Sequence, residues 1–234
     1  MNTQRIAAIF EKDYKDFLKN TILLVTAVLP ILMALMYSQM TEGGDEALIF
    51  SLYTIIGITF SAVTTNTMLT MMAEENEKNT LRGLIQSPAT FADIIVGKSL
   101  LTTLLTVVTL AISLFILGFE PLLEVRVIVA IFLLFLFFLS IGIGVGLFAK
   151  SIASTYVYSM PIMFLFGFTP LLLVLDFFVS NEIASTIIEY FPIVQAIELH
   201  NTTSWLPVGV ISLWVLASII FVIVFFKRSM TDDM

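Results

Sequence analysis

Side chains able to act as acids, bases, nucleophiles or metal ligands are few in this sequence, and their spacing argues against most chemistry. His200 is the one histidine and cysteine is absent, so a multi-histidine or thiolate metal site, a disulfide and a haem attachment are all excluded. His200 lies outside the apolar runs, so a serine–histidine dyad within a membrane cannot be built from it. The adjacent acids Glu74-Glu75 would suit metal-assisted hydrolysis, but Asn79 follows them and no histidine is near. They read as solvated residues at a helix end. Gly142, Gly144 and Gly146 invite a phosphate-loop reading, yet they sit inside an apolar run with no strand before them. Gly142 and Gly146, four apart, suit close packing of helix backbones instead. Catalysis, a bound metal and a bound cofactor are not expected.

The elements that hold these residues are set by hydropathy. The chain is 59% hydrophobic and 12% charged, against roughly a quarter charged in soluble domains, and its mean hydropathy is +1.03. About 20 apolar residues are needed to cross a bilayer. Six segments meet that test without Asp, Glu, Lys or Arg: 21–40, 48–72, 99–118, 127–148, 153–175 and 206–226. The fold class is therefore an all-α integral membrane protein, a six-helix transmembrane bundle over 21–234 with no soluble domain. Arg5, Lys12, Lys15, Lys19, Lys78, Arg82, Lys98, Lys150, Lys227 and Arg228 fall on one side, and only Arg126 on the other. The positive-inside rule makes the basic side cytoplasmic, with both termini there, in the cell membrane.

Residues 1–20 precede the first span. Ile6, Ile9, Phe10, Tyr14, Phe17 and Leu18 recur at helical spacing while the basic residues lie mostly elsewhere on the wheel. This predicts an amphipathic helix in the interface beside anionic lipid headgroups, with a polar tail as the alternative. The mixed charge before the first apolar run, and the absence of a small-residue cleavage site, mark that run as a retained helix. Between the last two spans, 176–204 is moderately apolar but broken by Asn181, Glu182, Glu189 and Pro192. Short helices re-entering the outer leaflet, or a plain external loop, would account for it. Pro30, Pro161 and Pro170 lie within spans and predict bends.

The informative stretch is Glu74-Glu75-Asn76-Glu77-Lys78-Asn79-Thr80-Leu81-Arg82-Gly83-Leu84-Ile85-Gln86-Ser87-Pro88, running on to Gly97-Lys98. Leu81, Leu84 and Ile85 form a small apolar face at helical spacing. Thr80 or Asn79 would cap the start of that helix, and Ser87-Pro88 would end it. Such a face needs a membrane surface or a partner protein to cover it.

An acid-rich turn, Thr-Leu, two aliphatics, Ser-Pro and a Gly-Lys opening the next span resemble the first cytoplasmic loop of ABC-2 type transporter permeases. The matching residues are Glu75, Thr80, Leu81, Leu84, Ile85, Ser87, Pro88, Gly97 and Lys98. The order of parts also matches: interfacial elbow helix, six spans, and a broken external segment before the last. Asn79 stands where the family often has glycine, and Arg82 where an acid usually follows Thr-Leu.

The resemblance implies that 80–86 is a coupling helix seated on a cytoplasmic ATPase. Thr80, Leu81, Leu84, Ile85 and Ser87 would form the contact, and Arg82, Glu75 and Lys78 would set its register. The sequence has no Gly-x-x-x-x-Gly-Lys-Ser/Thr loop. ATP and Mg would therefore sit on partner chains: two ABC ATPase subunits serving this permease and a second permease chain, in a homodimer or heterodimer. The family mostly exports its substrates, and apolar spans rich in Met and Phe suit a hydrophobic or amphipathic cargo such as a drug, a lipid-like molecule or an antimicrobial peptide. No nucleic-acid partner is implied. A gradient-driven carrier or channel is the alternative, disfavoured by spans free of ionisable groups. A non-transporting assembly or sensor protein is the other.

Overall fold

The computed structural model describes residues 3–39, 44–78, 91–175 and 181–231. Among them every regular element is helical. They are α1 (Thr3–Lys19), α2 (Thr21–Ser38), α3 (Gly44–Glu77), α4 (Phe91–Leu117), α5 (Val125–Phe148), α6 (Ile152–Gly167), α7 (Thr169–Leu172), α8 (Glu182–Glu189), α9 (Pro192–Glu198) and α10 (Leu206–Thr231). Five of these, α2, α3, α4, α5 and α10, are long and apolar enough to cross a bilayer.

The third helix is the axis of the bundle. Its most apolar stretch is 72% buried, against 17% for α2 and 22% for α10. Helices α4, α5 and α6 pack around α3, α2 lies against α4, and α10 runs along α5. The outer faces of α2, α4 and α10 present Val25, Phe115 and Leu213, the composition that lipid requires.

Lipid tails are as apolar as leucine, so helices in a membrane associate through packing and hydrogen bonds and not through hydrophobic burial. Both are visible along α3. Thr65 Oγ1 donates to the Phe138 carbonyl of α5 at 2.8 Å, and the Thr64 and Thr106 hydroxyls meet at 2.7 Å. Gly142 and Gly146 face α3: a Cβ there would lie 2.9 Å from the Thr65 carbonyl oxygen and 2.6 Å from Met72 Cβ respectively. From the middle of α5 outward, away from α1, rings from three helices and from the α8–α9 link interlock. Phe137 contacts Phe138, Phe166 and Trp214, and Phe166 stacks on Phe191, all with centroids 5.2–5.8 Å apart. Trp214 Nε1 donates to the Tyr190 carbonyl at 2.8 Å, which ties α10 to the short α8–α9 pair.

Three expectations need correction. The span expected over 153–175 is not one helix. Helix α6 takes π-helical geometry over Met163–Gly167, leaves helical conformation at Phe168, and resumes only as the short α7. Pro170 lacks the N–H that would bond back across this point. The sixteen residues of α6 reach roughly 24 Å at 1.5 Å per residue, short of a full hydrocarbon core. The second and third spans, expected over 48–72 and 99–118, extend through charged residues to Glu77 and back to Phe91. Helix α1 has three faces where two were expected. Ile6, Ile9 and Phe17 are buried against the bundle; Tyr14 and Leu18 are exposed on a second face; Glu11, Lys15 and Lys19 are exposed on a third, from which Lys12 turns back to Glu75. The segment before α10 does contain two short helices, α8 and α9, capped by the Asn181 side chain and started by Pro192.

Candidate functional site

Asp13 occupies the same helical face of α1 as Ile6, Ile9 and Phe17, and it is buried with them. A carboxylate placed there needs a cation, and α4 supplies it. Gly97 lets α1 approach closely: a Cβ at Gly97 would stand 2.8 Å from Ile9 Cγ2. The next residue, Lys98, is 1% exposed and reaches under α1 with Nζ 3.3 Å from each Asp13 oxygen. The same ammonium lies 3.1 Å from Glu75 Oε1 on α3, and Lys12 of α1 pairs with that carboxylate as well. Two ammoniums and two carboxylates thus close a knot joining α1, α3 and α4. Burial raises the Asp13 carboxyl above its ordinary value, and Lys98 and Lys12 pull it back.

Each residue in the last turn of α3 is committed to a different neighbour. Glu74 pairs with Lys78 one turn on. Glu75 enters the knot. Asn76 Nδ2 donates towards the carbonyls of Gly146, Leu147 and Ala149 at 3.1, 3.2 and 3.0 Å, closing the C-terminus of α5. Glu77 Oε2 accepts the Ile152 N–H at 2.7 Å, at the N-terminus of α6. Ser151 adds a capping box there with Ser154. Helix ends leave backbone groups without partners, so this one turn caps two helices, α5 and α6, and ties two more, α1 and α4, through Glu75.

Of the residues singled out in the sequence, Thr80, Leu81, Arg82, Leu84, Ile85 and Ser87 lie outside the described residues. Glu75 was expected to face a partner, or to be a solvated helix-end acid; it is 3% exposed and turned inward. It is buried because Lys12 and Lys98 neutralise it. Lys78 stays exposed beside Glu74. A crevice of about 80 Å³ opens between α1 and α3, lined by Lys12, Asp16, Asn20, Glu74 and Lys78 among others. Drug-sized ligands need at least ~300 Å³, so it is no cargo site. Among the described residues no three His, Cys, Asp or Glu side chains are grouped to hold a metal ion.

The sequence reading missed Lys12, Asp13, Asn76 and Glu77. One signal was available for Asp13. An acid on the apolar face of an amphipathic helix asks for a buried cation, and Lys98 opens the span that follows the loop. Nothing in the sequence marked Asn76 as the cap of a helix seventy residues away.

At the opposite end, the Tyr53 hydroxyl and His200 Nε2 meet at 3.0 Å, and Arg126 Nη1 donates to the Thr202 and Ser204 carbonyls at 2.7 and 3.2 Å. Burial lowers the His200 pKa from its ordinary 6.5; Glu124 opposes this and Arg126 adds to it. The unfolded chain therefore binds the His200 proton more readily. The stability His200 contributes is present above about pH 6.5 and is lost as pH falls through the lowered folded value. The thermal midpoint in detergent should drop between pH 7.5 and 5.5, and His200→Gln should flatten that part of the slope. An identical slope in the variant would remove His200 as its cause.

A family model described as ABC-2 family transporter protein matches residues 32–227. No curated protein matches the chain.

Proposed function

Because the chain belongs to the ABC-2 transporter family as a membrane subunit without a nucleotide-binding domain, we propose that it is the permease half of an ATP-driven exporter. In this reading the end carrying α1 faces the cytoplasm, as the distribution of Lys and Arg requires. Helix α6, continued by α7, serves as a short fifth span, and α8 and α9 dip into the outer leaflet. Residues 80–86 dock on one of two ATPase subunits that carry ATP and Mg, and a second permease chain completes the transporter. Its cargo is hydrophobic or amphipathic.

The observation that supports this best is the setting of the 79–90 segment. Its two flanking helices, α3 and α4, are locked together through Glu75 and Lys98, and both are locked to α1. A push on that segment is therefore delivered to three helices at once. A loop serving only to connect two spans would need no such anchorage. The mid-depth parts of the spans carry no ionisable side chain, which suits a machine driven by ATP and not by an ion gradient.

The test is recovery of partner chains from the host membrane in mild detergent, with the ATPase activity of the recovered complex. Wild type should bring down a subunit with a Walker-type loop. Leu84→Asp puts a charge into the apolar contact and should reduce that recovery at least ~10-fold, about 1.4 kcal/mol of binding, while the permease itself stays monodisperse. Full recovery with Leu84→Asp would remove the coupling helix from 80–86. A wild-type chain that comes down alone and supports gradient-driven flux would replace the exporter reading.

A further inference from the structure

In the last turn of α3, Glu75 enters the charge knot and Glu74 pairs with Lys78, while the other two side chains reach backbone groups of other helices. Asn76 holds the carbonyls of Gly146, Leu147 and Ala149, and Glu77 holds the Ile152 N–H. They grip both sides of the tight turn Ala149-Lys150-Ser151, where α5 ends and α6 begins. We propose that Asn76 and Glu77 are positioning residues that carry movement of the 79–90 segment into α6, by a route separate from the charge knot that joins α3 to α1 and α4. The proposal rests on the permease reading above.

The reason lies in the length and stiffness of the links. Asn76 and Glu77 bond directly to the backbone, which has no rotamer freedom with which to absorb a shift. Amide-to-carbonyl bonds weaken steeply as they lengthen or bend. The links to α1 and α4 run instead through Lys12 and Lys98, whose four-carbon stems let the ammonium keep its partner while the helix axis moves. Helix α6 also meets α3 at its far end. A Cβ on Gly57 would collide with the Gly167 carbonyl oxygen, and one on Gly167 with the Ser61 side chain. Helix α6 is thus held to α3 at both ends. At the far crossing both helices are π-helical, over Thr59–Thr65 and Met163–Gly167. Such segments are rare and occur often at functional sites, and they give the pair a place to adjust as the near end is displaced.

The experiment is hydrogen exchange read by mass spectrometry on the complex purified with its ATPase subunits, without nucleotide and with MgATP plus vanadate. In the wild type, nucleotide should change exchange over residues 149–160 and over 93–105. In Asn76→Ala and in Glu77→Ala the change over 149–160 should shrink at least fivefold, while the change over 93–105 and the ATPase activity persist. Glu77→Gln keeps an oxygen that accepts the Ile152 N–H and should retain the response. A wild-type response over 149–160 in both alanine variants overturns the proposal, as does equal loss over both regions, which would make the two residues props of the fold. A wild-type complex with no nucleotide response anywhere sinks the permease reading, and this inference with it.

Discussion

Lys98→Met should destabilise the bundle by about 3–5 kcal/mol, the usual cost of removing one partner from a buried ion pair. Lys98 is 1% exposed, and it serves Asp13 and Glu75 together. Methionine keeps the length and apolar stem but removes the cation that the two buried carboxylates share. Helix α1 should then lift from α4, seen as a lower thermal midpoint in detergent and faster trypsin cleavage after Lys12 and Lys15. Adding Asp13→Asn should recover a large part of the loss, since an amide needs no counter-charge. The effect should also depend on pH, with the sign set by Asp13. Its carboxyl is raised in the folded protein by burial, so the folded state holds that proton more tightly than the unfolded chain. Stability from this group is present below the unfolded value and is lost as pH rises through the folded one. Without Lys98 the folded value rises further, so the variant should fall furthest behind wild type near neutrality and gain on it at pH 5. A Lys98→Met protein that melts with wild type at both pH values would show that the knot balances nothing.

Gly57→Ala, one added methyl group, should cost about 3 kcal/mol, the upper part of the usual range for overpacking. The new carbon would meet the Gly167 carbonyl oxygen and, at 2.8 Å, Ile193 Cδ1. The isoleucine tip can rotate away. The carbonyl cannot, because it belongs to the backbone of α6 at the crossing with α3. The two helices would have to separate, disturbing the Phe166 and Phe137 rings that pack beside the crossing. Gly209→Ala in α10 is the matched control, since nothing lies within 4 Å of its added carbon and alanine favours the helix by up to about 1 kcal/mol. Equal thermal midpoints for the two variants would show that the α3–α6 crossing is loose enough to take a side chain.

Much of this molecule is legible in one dimension, because membrane helices are selected by a local property. A run of apolar residues long enough to cross the bilayer must satisfy its own backbone, so α2, α3, α4, α5 and α10 follow from hydropathy alone. The position of Lys and Arg is equally local, and the 79–90 segment drew attention through residues adjacent in the chain. The break in α6 was harder. Its residues are as apolar as those of an intact span, and hydropathy does not register a π-helical turn or the approach of Gly167 to another helix.

The site was the least legible part, for a physical reason. Glu75 read as a helix-end acid free to meet a partner because its local neighbours are polar; it is buried because Lys12, sixty-three residues earlier, and Lys98, twenty-three later, converge on it. Asn76 is unremarkable in sequence and caps a helix seventy residues away. Composition and periodicity determined that this chain lives in a membrane and that α2, α3, α4, α5 and α10 are apolar enough to cross it, since each of these depends on residues close together in the chain. Which charges are neutralised, which helix ends are capped, and which helices are tied to the 79–90 segment depend on groups brought together only when the bundle closes, and the tertiary structure alone decided them.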